Sequence, residues 1–202
     1  MAPSNPLPRI YLIRHGETEW ARLGRHTSET DLPLLPIGES DARALGVRLR
    51  ETTFSHVLTS PRLRARRTCE LADLAANAQV ESDLSEWKYG DYEGKNTAEI
   101  SALRPGWNIY RDGCPNGESP DEVSLRADRA IARLRVLTGN VALFSHGHFL
   151  RILTARWVAW PIAHAQSLLL NTGSLGILAF NLQQLERPVI ELWNDRGPDS
   201  LR

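Results

Sequence analysis

Runs of apolar residues alternate along this chain with stretches in which apolar positions recur at helical spacing. Short apolar runs bounded by polar or turn-forming residues are typical of strands. They predict strands at residues 9–13, 57–60, 140–145, 175–180 and 189–193. The helical spacing predicts helices at residues 38–50, 119–137 and 149–157.

A further helix is predicted to follow the second strand. Ser60 is a favourable N-cap, and Pro61 suits the first helical position. The apolar face of this helix is predicted to comprise Ala65, Cys69, Ala72 and Ala76. Arg62 is expected to face inward, whereas a solvated face is expected for Arg64, Arg66 and Arg67.

The order of these elements predicts an α/β fold. Strands that alternate with helices form a largely parallel sheet with helices on both of its faces. The late strands are expected at an edge of the sheet. Residues 175–180 would there be able to pair with the same strand of a second copy and form a homodimer. Residues 1–8 are predicted to be a flexible tail and residues 9–202 a single domain. Residues 83–117 are predicted to form long functional loops with a short helix.

Composition narrows the class of protein. Hydrophobic residues make up 42% of the chain and charged residues 24%, which is typical of a globular protein. The formal net charge is zero, so neither a nucleic-acid partner nor a membrane partner is expected. The two cysteines, Cys69 and Cys114, are far apart, and no signal peptide is recognisable. We therefore expect a cytoplasmic protein without disulfides.

Ionisable residues follow three of the predicted strands. Arg14 and His15 come after the first strand, Arg62 after the second and His146 after the third. Because the carboxyl ends of parallel strands share one edge of a sheet, these side chains are expected to converge. Glu86 lies in the loop-rich segment and is a candidate to join them.

These residue types suit phosphoryl transfer. Guanidinium groups bind phosphate by paired hydrogen bonds and stay charged at any working pH. A neutral imidazole can attack phosphorus, and a carboxylic acid can protonate the leaving oxygen and then activate water. Two other interpretations stay open: each residue can be purely structural, and His146 with His148 can bind a metal ion. The metal site ranks lower because no carboxylate or cysteine lies at ligand spacing beside them.

Four segments resemble the motifs of branch 1 of the histidine phosphatase superfamily, the phosphoglycerate mutase-like branch. They are residues 12–18 (LIRHGET), 60–65 (SPRLRA), 84–94 (LSEWKYGDYEG) and 145–148 (SHGH). The Gly-Glu-Ser turn at residues 117–119 resembles another feature of the family, and the resemblance extends from residue 9 to residue 180. It implies a three-layer α/β/α sandwich with a mostly parallel sheet, a phosphohistidine intermediate, no cofactor and no metal.

The resemblance also implies roles for individual residues. His15 is implied to be the phosphorylated nucleophile and Glu86 the proton donor, which must begin protonated. The implied phosphate pocket comprises Arg14, Arg62 and His146. A phosphoglycerate mutase is the first alternative, but the short stretch between Glu86 and His146 favours an open site that admits water. A catalytically silent phospho-ligand-binding module is disfavoured because His15 and Glu86 are both present.

Residues 24–34 resemble a subgroup of small sugar-phosphate phosphatases, the sedoheptulose-bisphosphatase-like proteins and related broad-specificity acid phosphatases. The expected substrate is therefore a small phosphorylated metabolite, in particular a sugar phosphate. The residues expected to bind it are Arg25, Thr27, Ser28, Tyr89 and Gly147. Arg25 and His26 either meet a second anionic group or belong to an ordinary polar loop. The aromatic residues expected either to line a sugar site or to pack the long loops are Tyr89, Tyr92 and Trp107.

One position departs from the family pattern. Family members often carry an asparagine directly after the tryptophan of the first motif, where Ala21 follows Trp20 in this chain. A phosphate donor is therefore expected to be missing, and the hydroxyl of Thr27 or Ser28 is expected to compensate.

Overall fold

Six strands form one sheet in the computed structural model, which describes residues 7–181, 183 and 187–197 of the chain. The strands are β1 (Arg9–Arg14), β2 (His56–Thr59), β3 (Ala78–Val80), β4 (Asn140–Ser145), β5 (Leu175–Asn181) and β6 (Arg187–Asp195). Their order across the sheet is β3-β2-β4-β1-β5-β6. The pairs from β3 to β1 are parallel, and β5 and β6 join antiparallel, so the predicted mostly parallel sheet is confirmed.

Helices cover both faces of this sheet. They are α1 (Glu19–Arg22), α2 (Pro36–Leu49), α3 (Leu63–Leu71), α4 (Thr97–Leu103), α5 (Ile109–Asp112), α6 (Pro120–Arg135) and α7 (Gly147–Trp157). Along β1, Ile10 and Leu12 pack with residues of α6 and α7, whereas Tyr11 and Ile13 pack with residues of α2 and α3. These two apolar clusters confirm the α/β/α sandwich. Within the described residues, no helix has the length and apolar character that a membrane crossing requires.

The sequence around Ser119 explains where the longest helix begins. The Ser119 hydroxyl accepts the N–H of Glu122, and the Glu122 carboxylate accepts the N–H of Ser119, which is a capping box. Pro120 occupies the first helical position, where its missing N–H costs nothing. The buried residues of α6 include an apolar stripe at helical spacing, which comprises Val123, Ala127, Ala130, Ile131 and Leu134. Burial of such a stripe stabilises the helix more than its intrinsic propensity does.

The predicted start of α3 is wrong. Arg62 is the N-cap and Leu63 the first helical residue, so Ser60 and Pro61 precede the helix. The Ser60 hydroxyl lies 2.7 Å from Nε2 of His146 and accepts the N–H of Arg62 at 3.3 Å. The Leu63 N–H donates instead to the Asp31 carboxylate at 2.7 Å. Because α3 ends at Leu71, Ala76 is exposed and is not part of the predicted apolar face.

The predicted edge position of residues 175–180 is also wrong. β5 is hydrogen bonded to β1 on one side and to β6 on the other, so it offers no free edge to a second copy of the chain. The two edges of the sheet are β3 and β6. β3 was not predicted from the sequence. Its three residues are too few to show an alternating pattern, and two of them, Gln79 and Val80, are exposed.

The loop-rich segment at residues 83–117 contains two short helices, α4 and α5, where a single one was predicted. Cys69 and Cys114 are both buried and free. The predicted flexible tail falls largely on residues 1–6, which lie outside the described residues.

Candidate active site

The candidate site lies at the carboxyl ends of three adjacent parallel strands. β2, β4 and β1 are neighbours in the sheet, and the loops that follow them carry Arg62, His146 and His15. The His15 N–H donates to the Ser145 carbonyl at 3.0 Å, which holds the end of β1 against β4. The topology therefore brings together the residues that the sequence placed after separate strands.

His15 is 5% exposed and lines a cavity at this edge of the sheet. Its Nδ1 lies 2.8 Å from the Gly16 carbonyl oxygen, which can only accept, so Nδ1 carries the proton and Nε2 has a free lone pair. Burial, together with the charges of Arg64 and Arg14, holds the pKa of His15 well below its ordinary value. The imidazole is therefore neutral around neutral pH, as a nucleophile must be.

His146 is fully buried, and its ring centroid lies 5.2 Å from that of His15. Its Nε2 is 2.7 Å from Ser60 Oγ, and that same oxygen accepts the N–H of Arg62 at 3.3 Å. The Ser60 proton is thus free to donate to Nε2, which leaves Nδ1–H as a buried donor without a partner among the described residues. Burial and the nearby Arg64 hold the pKa of His146 well below its ordinary value, so this ring is also neutral.

Three arginines surround the two histidines. Their terminal nitrogens donate to backbone carbonyls: Arg14 to Leu170, Arg62 to Glu29, and Arg64 to residues 27, 28 and 30. The Nε of each arginine is buried without a partner, and none of the three forms an ion pair with a carboxylate in the described part of the chain. Buried donors are nearly always paired. Three unpaired guanidinium donors beside His146 Nδ1 therefore form a site suited to an anion.

The position of Arg64 corrects the predicted solvated face. Its side chain is 0% exposed, and its pKa is lowered from its ordinary value by burial. The spacing of the predicted apolar face does not separate Arg64 from Arg66, because each of them adjoins Ala65. In the structure Thr68, four residues after Arg64, is buried, so the buried face of the helix extends to the side on which Arg64 lies.

Glu86 reaches this cluster from the loop that follows a 3₁₀ turn at Ser82–Leu84. It is 7% exposed, and its carboxyl accepts the N–H groups of Trp87 (2.9 Å), His148 (3.1 Å) and Phe149 (2.9 Å). The last two belong to the first turn of α7, so the start of this helix fixes the position of the Glu86 carboxyl group. The Ser145 hydroxyl donates to the Leu84 carbonyl at 2.6 Å, which ties this loop to the end of β4.

A cavity of about 410 Å³ opens beside Arg14, His15 and Glu86, whereas Arg62, Arg64 and His146 lie outside its lining. Its lining includes His15, Glu86, the rings of Trp107 and Tyr110, and the first residue of α7, Gly147. A Cβ on Gly147 would lie 3.2 Å from the Arg14 guanidinium carbon, so glycine lets that guanidinium lie against the start of the helix. The size of the cavity suits a small metabolite.

Four of the five residues expected to bind substrate line this cavity: Arg25, Thr27, Tyr89 and Gly147. The Arg25 guanidinium is already engaged, because it lies 3.2 Å from the Glu99 carboxylate and donates to the Gly94 carbonyl. The Tyr89 hydroxyl lies 2.7 Å from Nδ1 of His148, which fixes both rings at the cavity wall.

The hydroxyl expected to replace the missing donor at Ala21 is not available from Ser28. Ser28 is outside the cavity lining and donates its proton to the Glu93 carboxylate. The Thr27 hydroxyl donates to the Arg25 carbonyl at 3.1 Å. Thr18 lines the cavity with His15 and Ala21, and its hydroxyl accepts the Ala21 N–H while its own proton has no partner among the described residues. Thr18 is therefore the better-placed hydroxyl.

Arg151 is a cavity residue that sequence reasoning missed. It lies on α7, where its Nε donates to the Ala165 carbonyl (3.0 Å) and its Nη2 to the Gln166 carbonyl (2.8 Å). Its guanidinium carbon is 5.4 Å from the centre of the Tyr110 ring, and no carboxylate pairs with it within the described residues. The sequence pattern gave no sign of it, because these contacts come from distant segments.

The metal interpretation of His146 and His148 rested on their alternation along a strand. β4 ends at Ser145, and the two rings bond to different partners, Ser60 and Tyr89. Across the residues that the structure describes, no cluster of three or more His, Cys, Asp or Glu side chains has metal-binding geometry.

Three comparisons relate the chain to known proteins. A profile of the family described as the histidine phosphatase superfamily (branch 1) matches residues 10–196. An acid phosphatase of Mycobacterium tuberculosis is 42% identical over 176 residues, covering 85% of this chain and 86% of the relative. A sedoheptulose 1,7-bisphosphatase of Saccharomyces cerevisiae is 33% identical over 249 residues, covering 92% of each chain. A solved structure of an open reading frame product of Mycobacterium tuberculosis superposes with a TM-score of 0.86 at 38% identity, covering 92% of this chain and 96% of that chain.

Proposed function

This chain belongs to branch 1 of the histidine phosphatase superfamily, and we propose that His15 carries the phosphoryl group while the enzyme hydrolyses phosphomonoesters. The observation that supports this assignment most strongly is the convergence of unpaired buried donors around a neutral imidazole. Those donors come from Arg14, Arg62, Arg64 and His146. A phosphate dianion complements them in charge and in hydrogen-bonding capacity.

In the first step, the substrate phosphate binds among the guanidiniums and His146 Nδ1–H. These groups stabilise negative charge on the equatorial oxygens of the transition state. His15 Nε2 attacks phosphorus in line, so that a P–N bond forms as the P–O bond to the leaving group breaks. Protonated Glu86 gives its proton to the leaving oxygen, and the alcohol departs.

In the second step, water attacks the phosphoryl group on His15. Glu86, now a carboxylate, accepts a proton from this water, the P–N bond breaks and inorganic phosphate leaves. The positive charge that this reaction needs comes from side chains of the site, so we propose a metal-independent reaction.

We propose that the substrate is a small sugar phosphate with a second anionic group. The lining of the cavity supports this, because Arg151 has no carboxylate partner among the described residues and Tyr110 has a buried hydroxyl without a partner. The yeast relative is named for a bisphosphorylated sugar. A panel of phosphorylated metabolites, assayed for released phosphate, tests the proposal. A coupled phosphoglycerate assay with a bisphosphorylated primer detects mutase activity.

Arg151→Gln is expected to lower kcat/KM for a bisphosphorylated sugar by about 10-fold or more, because a charge-assisted hydrogen bond is lost. The same variant should change kcat/KM for a plain aryl phosphate by less than about threefold. Arg25→Gln is the matched comparison and should cost the bisphosphate less, since Arg25 is already paired with Glu99. Equal losses on both substrates would place the second anionic group elsewhere.

After correction for the ionisation of the substrate phosphate, whose second pKa is about 6, the pH profile of kcat/KM is expected to retain activity well below pH 6.5. The reactive form of His15 is neutral, and its pKa is lowered, so protonation removes activity only at correspondingly lower pH. Arg64→Gln should move this acid limb to higher pH, because the charge of Arg64 lowers the pKa of His15 more than that of Arg14 does. The measurement is kcat/KM between about pH 4 and pH 8 for both proteins. An acid limb near pH 6.5 in the wild-type enzyme would contradict the assignment.

A further inference from the structure

A buried ion pair joins the Gly-Glu-Ser turn to α6 outside the cavity. The Arg126 guanidinium donates to Glu118 through Nε at 2.8 Å and through Nη2 at 2.6 Å. The two side chains are 10% and 19% exposed. Neither residue lines the cavity, and the reaction steps above use neither of them.

The remaining donors of Arg126 all go to the segment that carries Glu86. Nη1 donates to the carbonyls of Asp83 (2.9 Å) and Ser85 (2.7 Å), and Nη2 donates to the carbonyl of Glu86 itself (3.2 Å). A guanidinium has five N–H groups, and here all five are used. Lysine has three donors on a point-like ammonium group and cannot reproduce this planar pattern.

Glu118 holds the other side of the same segment. Its carboxylate accepts the Lys88 N–H at 2.9 Å, its own N–H donates to the Lys88 carbonyl at 2.8 Å, and its carbonyl accepts the indole N–H of Trp87 at 2.9 Å. The backbone is therefore fixed before, at and after Glu86. Two residues outside the cavity thus determine where the Glu86 side chain begins.

Arg126 also contacts the residue that binds the Glu86 carboxyl group. Its guanidinium carbon lies 4.5 Å from the centre of the Phe149 ring, and the Phe149 N–H donates to Glu86 Oε1 at 2.9 Å. A single side chain therefore links the backbone of Glu86 to one of the donors that orient its carboxyl group. Cation–π contact adds to the rigidity of this link.

We propose that Arg126 and Glu118 are positioning residues that set the distance and direction from the Glu86 carboxyl group to the leaving oxygen of the substrate. This inference rests on the proposed role of Glu86 as proton donor. Proton transfer requires the donor within hydrogen-bond reach, and small displacements of a catalytic group are costly. Loss of the pair should therefore weaken proton donation specifically and leave phosphate binding intact.

The test is the dependence of kcat/KM on the leaving group. kcat/KM reports the steps through phosphoryl transfer, in which a good leaving group such as 2,4-dinitrophenolate needs no proton and phenolate does. Arg126→Gln is expected to lower kcat/KM for phenyl phosphate by about 10- to 100-fold. For 2,4-dinitrophenyl phosphate the expected loss is less than about threefold. Arg126→Lys, which keeps the charge and is the milder change for folding, should show the same selective loss.

Arg156→Gln is the matched control. Arg156 makes the same kind of two-point contact with Asp128, at 2.8 Å for each hydrogen bond, and it joins α7 to α6 without touching the Glu86 segment. For the Arg156→Gln variant, kcat/KM should depend on the leaving group no more steeply than it does for the wild-type enzyme. Thermal unfolding of each variant separates lost folding from lost positioning.

Glu86→Gln separates this inference from the function on which it rests. One outcome is that Glu86→Gln loses kcat/KM selectively for phenyl phosphate while the Arg126 variants do not. If folded Arg126→Gln and Arg126→Lys lose kcat/KM equally for both substrates, or for neither, the positioning role is wrong. If Glu86→Gln itself shows no selectivity for the leaving group, the proton-donor role in the proposed function is wrong. Selective loss in the Arg126 variants as well as in Glu86→Gln supports both.

Discussion

Replacement of His15 by alanine is expected to lower the turnover of an aryl phosphate by about 10⁴-fold or more. The variant removes the Nε2 lone pair that attacks phosphorus, while the guanidiniums that bind phosphate remain in place. The effect should therefore appear in kcat, with phosphate still binding as a competitive ligand. Steady-state turnover and phosphate affinity, measured with the metal-free protein in excess chelator, check both points.

His164→Ala provides the control for His15→Ala. His164 is exposed, contacts the Trp160 ring and lies outside the cavity, so its loss should leave turnover unchanged. Near-normal turnover in His15→Ala would show that another group attacks phosphorus. Loss of wild-type turnover in chelator would show that the site needs a metal ion after all.

Replacement of Glu86 by glutamine is expected to lower kcat/KM for phenyl phosphate by about 10²- to 10³-fold, the range for loss of a general acid. Glutamine keeps the shape of the side chain and an oxygen that can accept the Phe149 N–H, but it has no acidic proton to give. The loss should shrink for 2,4-dinitrophenyl phosphate, whose leaving group needs no proton. A series of aryl phosphates, plotted against leaving-group acidity, measures this difference.

Glu122→Gln is the control for Glu86→Gln. Glu122 also accepts a backbone N–H, that of Ser119, but it does so in the capping box of α6, where glutamine serves as well. Its turnover should match that of the wild-type enzyme across the series. A Glu86→Gln variant that retained full activity on phenyl phosphate would assign proton donation to another group.

Elements with strong local patterns were predicted well from the sequence. β4 has the predicted bounds, and α6 lies within one residue of its predicted start because Ser119 and Pro120 define the cap. Elements whose bounds depend on contacts with distant segments were predicted less well. α3 begins at Leu63, whose N–H donates to Asp31, and nothing in the local sequence indicates that contact.

The site was predictable to the extent that its chemistry follows strand ends. His15, Arg62 and His146 could be placed together because parallel strands present their carboxyl ends at one edge of the sheet. Arg151 was not predictable, since its partners are backbone carbonyls of a later segment and a ring from an earlier one. Arg126 lies on the amphipathic helix α6. Only the fold shows that its guanidinium contacts the loop that carries Glu86.

The central claim is that His15 carries the phosphoryl group, and trapping it is the most direct measurement. Glu86→Gln should accept phosphate from 2,4-dinitrophenyl phosphate but release it slowly, because no base activates the attacking water. After a base quench and digestion, mass spectrometry should find an acid-labile phosphoryl group on the peptide that contains His15. Its amount should approach one per chain, and it should be absent when His15 is also replaced by alanine. A phosphoryl group on another residue, or its persistence without His15, would contradict the claim.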